Sequence, residues 1–134
     1  MTCVLDASVA VAALRIGEPR HEASLQRCQP IFAGLEQIIV PAIFDVEVTA
    51  ALVRRGVPAE RVIQFLDSHL VTRKIVVIGP RAARSAQRVV KTTRLRAADA
   101  VYVWVASRYG VPLVTADEEV LQRAPLAGVD AILP

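Results

Sequence analysis

Four carboxylates stand where strands and helices could gather them. Asp6 closes the apolar run Cys3-Val4-Leu5 and precedes the helix-forming run Val9 to Leu14. Glu47 lies between Val46 and Val48 in an apolar helical stretch. Asp99 lies in the first turn of a segment, 97–109, that is apolar almost all round, and Asp117 follows Leu113-Val114-Thr115-Ala116. Taken singly, each has a structural explanation. Asp6 alone suits a helix cap, Asp99 and Asp117 suit the positive end of a helix dipole, and Glu47 could pair with Arg54 or Arg55. Taken together, carboxylates at one edge repel each other unless a cation neutralises them. Oxygen donors with no His or Cys cluster nearby point to Mg²⁺ or Mn²⁺ rather than zinc. Such an ion activates water and stabilises charge on a phosphate, and a neighbouring Arg96 suits holding a phosphate backbone.

The elements that must position these groups alternate. Short apolar runs at 2–5, 38–40, 74–78, 113–114 and 131–133 read as strands. Helical stretches read at 8–15, 21–28, 43–55, 58–70, 81–91, 97–109 and 118–123, with Pro30 and Gly34 limiting the second, Gly56 stopping the third and Pro58 placed at the first position of the fourth. Alternation of this kind predicts an α/β fold: a three-layer α/β/α sandwich around a short parallel sheet of four to five strands. Asp6 and Asp117, both following strands, then fall at the same sheet edge, where open α/β sheets hold ligands. Ser8 is left to cap the first helix, and Asp6 should face the other carboxylates.

The 134 residues suffice for one domain, 1–134. With 54% hydrophobic and only 4% aromatic residues, the core must be Ala, Val, Leu and Ile. Cys3 and Cys28 lie in apolar surroundings and read as reduced core thiols of a cytoplasmic protein. The sequence shows neither a membrane span nor a signal peptide. The net charge of +3 hides a polarised distribution: residues 54–96 carry eleven basic and two acidic groups, while the segments on either side are net acidic. Arg81, Arg84, Arg88 and Lys91 fall on one side of their helix. A field of this kind attracts a polyanion to one surface, although Arg-rich helices also commonly just face solvent. The apolar helix around Trp104 and the helix 58–70 read either as core or as a surface for self-association or a partner helix.

Other carboxylate chemistries fit less well. Asp-x-Asp phosphatases need a second acid where Ser8 stands. A receiver domain needs an acid after the third strand, which ends in Gly79-Pro80. Dinucleotide and P-loop sites need glycines after the first strand. His21 and His69 lie in amphipathic helices without a paired nucleophile.

These residues resemble the motifs of PIN-domain ribonucleases. Val4-Leu5-Asp6-Ala7-Ser8 is similar to the first motif, and Pro41 with Glu47 six residues on to the second. Leu95-Arg96-Ala97-Ala98-Asp99-Ala100 resembles the third, and Pro112-Leu113-Val114-Thr115-Ala116-Asp117 the fourth. The likeness runs the length of the chain, which also resembles the VapC-type toxins of prokaryotic toxin–antitoxin pairs. It departs at Ala50, where many relatives carry Asn. The resemblance implies Mg²⁺- or Mn²⁺-dependent endoribonuclease activity leaving a 5′ phosphate and a 3′ hydroxyl. It implies a homodimer, and inhibition by a VapB-type antitoxin. Asp6, Glu47, Asp99 and Asp117 carry over as metal-binding catalytic acids, with Ser8 and Thr115 as supporting hydroxyls. Two other readings stay open: a PIN-fold protein that binds RNA or a partner without catalysis, and a metal-dependent nuclease acting on DNA.

Overall fold

The computed structural model describes residues 2–134. Its elements run β1 (Cys3–Leu5), α1 (Ala7–Leu14), α2 (His21–Phe32), β2 (Ile38–Pro41), α3 (Ile43–Val53), α4 (Ala59–His69), β3 (Lys74–Val76), α5 (Pro80–Thr93), α6 (Ala97–Tyr109), β4 (Leu113–Val114), α7 (Glu118–Arg123), a short 3₁₀ turn at Ala124–Ala127 and β5 (Ala131–Ile132). The sheet is parallel throughout, in the order β3-β2-β1-β4-β5. α1 to α4 pack with one another, and α5, α6, α7 and the 3₁₀ turn form a second group. The three-layer α/β/α sandwich expected from the alternation is the fold observed.

Burial explains the short strands. β1 is wholly buried, as are Ile38, Ile39 and Val40 of β2 and both residues of β4, so strands covered on both faces read as continuous apolar runs. β1 is the centre of the sheet. The chain grows outward from it through β2 to β3, then crosses back through α5 and α6 to pair β4 with its other side. Successive connections leave β1 in opposite directions at its border with β4, the kind of point where α/β sheets open a crevice beyond the strand ends.

Several boundaries differ from those the sequence suggests. β3 stops at Val76 instead of reaching residue 78, because its neighbour β2 ends at Pro41, the partner of Val76. The Ala42 N–H makes the last bond, to the Val76 carbonyl, and Val77 is left exposed. α2 runs through Pro30 to Phe32. A proline in the last turn forfeits one helical bond, and the Pro30 carbonyl still accepts from Leu35 N–H at 2.9 Å. Pro58 is the cap residue of α4, not its first helical residue, and it is Pro80 that opens α5. Gly110 ends α6 in the left-handed conformation (φ 64°), accepted there because it has no Cβ.

The two histidines do structural work. Nδ1 of His21 donates to the Ala12 carbonyl at 2.8 Å, tying α2 to α1, and His69 stacks on Phe65. Both cysteines are buried free thiols. Among the described residues, no helix is long and apolar enough to cross a membrane.

Candidate functional site

The structure brings Asp6, Ser8, Glu47, Asp99 and Asp117 to the lining of one open cleft of about 350 Å³ at the C-terminal edge of the sheet. Each arrives from a different element. Asp6 follows β1, and its N–H is held by the Val114 carbonyl of β4 at 3.0 Å. Glu47 is supplied by α3, Asp99 by the first turn of α6, and Asp117 by the cap of α7.

Thr115 links the first and last of these. Buried between them, its hydroxyl donates to Asp6 Oδ2 at 2.7 Å and accepts from the Asp117 N–H at 3.1 Å. Asp6 also accepts from the Ser8 N–H, through Oδ1 at 3.4 Å, and is the N-cap of α1. The division of labour expected for this turn is therefore overturned. Asp6 both caps the helix and faces the cleft, since one carboxylate has two oxygens to spend. The Ser8 hydroxyl accepts from the Ala116 N–H at 3.4 Å, joining the β1 and β4 turns. Asp117 divides in the same way: Oδ1 caps α7 through the Glu119 and Val120 N–H groups, and Oδ2 meets Arg96.

Arg96 spans two acids. Its Nε lies 3.3 Å from Asp99 Oδ2 and its Nη2 lies 3.2 Å from Asp117 Oδ2, while 73% of its side chain is exposed. It is a solvent-facing cation laid across the mouth of an acidic cleft.

Asp6, Glu47 and Asp99 resist ionisation. Burial pushes Asp6 upward, with hydrogen bonds from Thr115 and Ser8 opposing and the Asp117 charge adding. Asp99 is raised by burial, then by Asp6 and Asp117, against the pull of Arg96. Glu47 is raised by burial and by Asp6 and Asp99, and lowered by a hydrogen bond from Tyr102. Three groups shifted together by desolvation and mutual charge mark a site that, among the described residues, lacks a buried counter-charge.

Tyr102 and Glu18 are site residues that reading the sequence missed, and Arg55, a candidate partner of Glu47, pairs with Glu18 instead. Tyr102 is buried, and its hydroxyl donates to Glu47 Oε1 at 2.7 Å. Burial raises the phenol well above its ordinary range, and the Glu47 carboxylate adds to it. The signal was its spacing, three residues after Asp99 and so on the same helix face. Glu18 and Arg55 also line the cleft, 3.4 Å apart, and only the tertiary fold joins the loop after α1 to the end of α3.

Among the described residues, no three Asp, Glu, His or Cys side chains form a ready-made metal cage. In this arrangement Arg96, Thr115 and Tyr102 occupy oxygens of the four acids. The donor set itself fits a hard divalent ion: oxygen donors only, in one cleft, three of them with raised pKa values.

The chain matches the family model described as PIN domain over residues 3–125 and belongs to that family. Among solved structures it is similar to the toxin VapC20 of Mycobacterium tuberculosis, described as cleaving the sarcin–ricin loop. The two share 16% identity and a TM-score of 0.73, and the match covers 100% of each chain. It is also similar to a chain of VapBC2 from Rickettsia felis bound to promoter DNA (16% identity, TM-score 0.70, covering 100% of this chain and 99% of that one). A toxin–antitoxin complex from Klebsiella pneumoniae gives 16% identity and a TM-score of 0.68, covering 97% of this chain and 95% of that one. At these identities the likeness is one of fold. A search of curated proteins returns no match.

Proposed function

We propose that the chain is a metal-dependent endoribonuclease, the toxin of a type II toxin–antitoxin system. One observation carries this reading: Asp6, Glu47, Asp99 and Asp117 line one cleft at the reversal point of the sheet, and among the described residues the cation that meets them, Arg96, is exposed. The family and the toxin–antitoxin proteins that share the fold support it.

In this reading the four acids hold Mg²⁺ or Mn²⁺. Such an ion supplies Lewis acidity toward phosphoryl oxygens and makes coordinated water a stronger acid. The chain does the rest. Thr115 orients Asp6 and sets its distance from Asp117. Tyr102 holds one oxygen of Glu47 and leaves the other free to turn into the cleft. Arg96, exposed and bound to two acids at more than 3 Å, can exchange Asp99 and Asp117 for the phosphate flanking the scissile bond once a divalent ion neutralises them. Binding an ion among groups that resist ionisation releases protons, so affinity rises with pH.

The partner half of the proposal is a homodimer and a VapB-type antitoxin, acting in the cytoplasm. An apolar groove of about 520 Å³ between α3 and α4, lined by Val46, Ala50, Val53, Ala59 and Ile63, supports a protein-binding face.

The test is cleavage of end-labelled RNA with Mg²⁺ or Mn²⁺, with excess chelator, and by Asp6→Asn. Cleavage that needs the ion and Asp6, leaves 5′ phosphates and exceeds cleavage of matched DNA supports the reading. Equal cleavage by Asp6→Asn sinks it. A second reading, a PIN-fold binder without catalysis, draws on Arg96 itself neutralising Asp99 and Asp117. It requires that no divalent ion bind through these acids.

A further inference from the structure

α5 carries charge in a way that its own folding does not explain. Its fourteen residues, Pro80–Thr93, include Arg81, Arg84, Arg88 and Lys91 and no acid. All four cations are exposed, on the side opposite the buried Ala86 and Thr93. Among the described residues, none of the four lies within ion-pair distance of a carboxylate. Like charges three and four residues apart destabilise a helix, and Arg81 adds a cation to the first turn, where the dipole disfavours it. α4 and α7 place Glu60, Glu118 and Glu119 in their first turns instead. The row continues past the helix. Arg94 takes the left-handed conformation (φ 59°) usually left to glycine, and its carbonyl accepts from Arg123. Two residues on, Arg96 reaches Asp99 and Asp117 in the cleft.

We propose that α5 is a second nucleic-acid-binding surface, a track for the RNA backbone that leads by way of Arg94 and Arg96 into the carboxylate cleft. This rests on the ribonuclease reading of that cleft. Successive cations lie about 5–6 Å apart along the stripe, a step comparable to that between phosphates on a strand. From Arg81 to Lys91 the row spans about 15 Å, so RNA several nucleotides from the scissile bond is held by charge alone, without base readout. A bound polyanion offsets the mutual repulsion that the free helix carries. An acidic protein segment is the competing occupant. The even spacing and the continuity with the cleft favour the strand that is cut there.

The test uses the full chain with Arg84→Gln/Arg88→Gln and, separately, Arg84→Glu/Arg88→Glu. Binding of a long single-stranded RNA is measured by fluorescence anisotropy at several salt concentrations, without turnover. Cleavage of that RNA is compared with cleavage of a short oligonucleotide spanning only the scissile bond. The neutral pair should weaken long-RNA binding about tenfold and lower its salt dependence by about 0.7 in log–log slope per cation removed. The glutamate pair should weaken it more. KM for long RNA should rise with kcat unchanged, while cleavage of the short oligonucleotide stays at the wild-type level. Wild-type affinity and salt slope in both variants overturn the proposal. So does loss of binding to a polyglutamate peptide with RNA binding intact, which assigns the row to an acidic protein partner. If the wild type cuts no RNA, the anisotropy arm still judges the track separately from the nuclease reading.

Discussion

Two groups of acids, alike in type, meet opposite ends in this fold. At the junction of α3, α4 and β3, Asp45 and Asp67 are answered by Arg73. Its guanidinium donates to both oxygens of Asp45 (3.1 and 2.9 Å), to Asp67 (3.0 Å) and to the Leu66 and Leu70 carbonyls. That side chain is only 9% exposed. In the cleft, Asp6, Glu47, Asp99 and Asp117 have Arg96, whose side chain is 73% exposed. Asp45 and Glu47 are two residues apart on α3, so the helix sends them to different sides. One is a staple. The other lies among carboxyls that burial and mutual repulsion push toward protonation. Acids held by a buried arginine are part of the architecture, whereas acids gathered around an exposed one are, in the reading proposed above, a site for a cation.

The sharpest way to separate the two groups is to neutralise one acid from each. Asp99→Asn should reduce RNA cleavage by at least about 100-fold, since loss even of an outer partner in a metal site costs 10- to 100-fold. Its thermal midpoint should be unchanged or higher, because repulsion is relieved. Asp45→Asn should keep most of the cleavage and lose stability.

Arg73→Met breaks the staple itself. Removing the cation leaves Asp45 and two carbonyls without their partner, at a cost of about 2–3 kcal/mol, below the full penalty for a buried pair because Asp45 keeps some water. Urea unfolding should show the loss, while cleavage per folded molecule remains.

Tyr102→Phe asks whether the cleft depends on orientation as well as charge. It removes the hydroxyl that holds Glu47, and Mn²⁺ affinity should fall by about tenfold with the fold intact. An unchanged affinity makes Tyr102 a core residue and nothing more.

The smallest effect is on stability against pH. Asp6, Glu47 and Asp99 have folded-state pKa values raised, first of all by burial. A carboxyl shifted this way holds its proton more tightly when folded. Its contribution is therefore fully present below the ordinary carboxylate range and is lost as pH rises through the raised value. In chelator, Asp6→Asn should gain on the wild type in urea midpoint as pH rises from about 4 toward neutrality. Added Mg²⁺ should raise the wild type alone.

Much of this architecture is legible in residue order. Apolar runs of a few residues between helical stretches give the parallel sheet, and Asp6 and Asp117 follow from strand ends. Ends that depend on a neighbour are not legible. Whether β3 runs to 76 or 78 is decided by where β2 turns into α3. The same holds for oxygens with more than one claim. Asp6 caps and faces the cleft because Thr115, 109 residues away, takes its second oxygen. Tyr102 hides for a similar reason, since in a helix apolar nearly all round it reads as core, and only the position of Glu47 across from it gives its hydroxyl a task.

The most direct test of the central claim is calorimetric titration of Mn²⁺ into the metal-free wild type, Asp99→Asn and Asp45→Asn at neutral pH. Binding by the wild type and by Asp45→Asn, with loss of binding in Asp99→Asn, is the result expected of a cleft whose acids await a cation. An absence of binding in the wild type, or equal binding by Asp99→Asn, would contradict it.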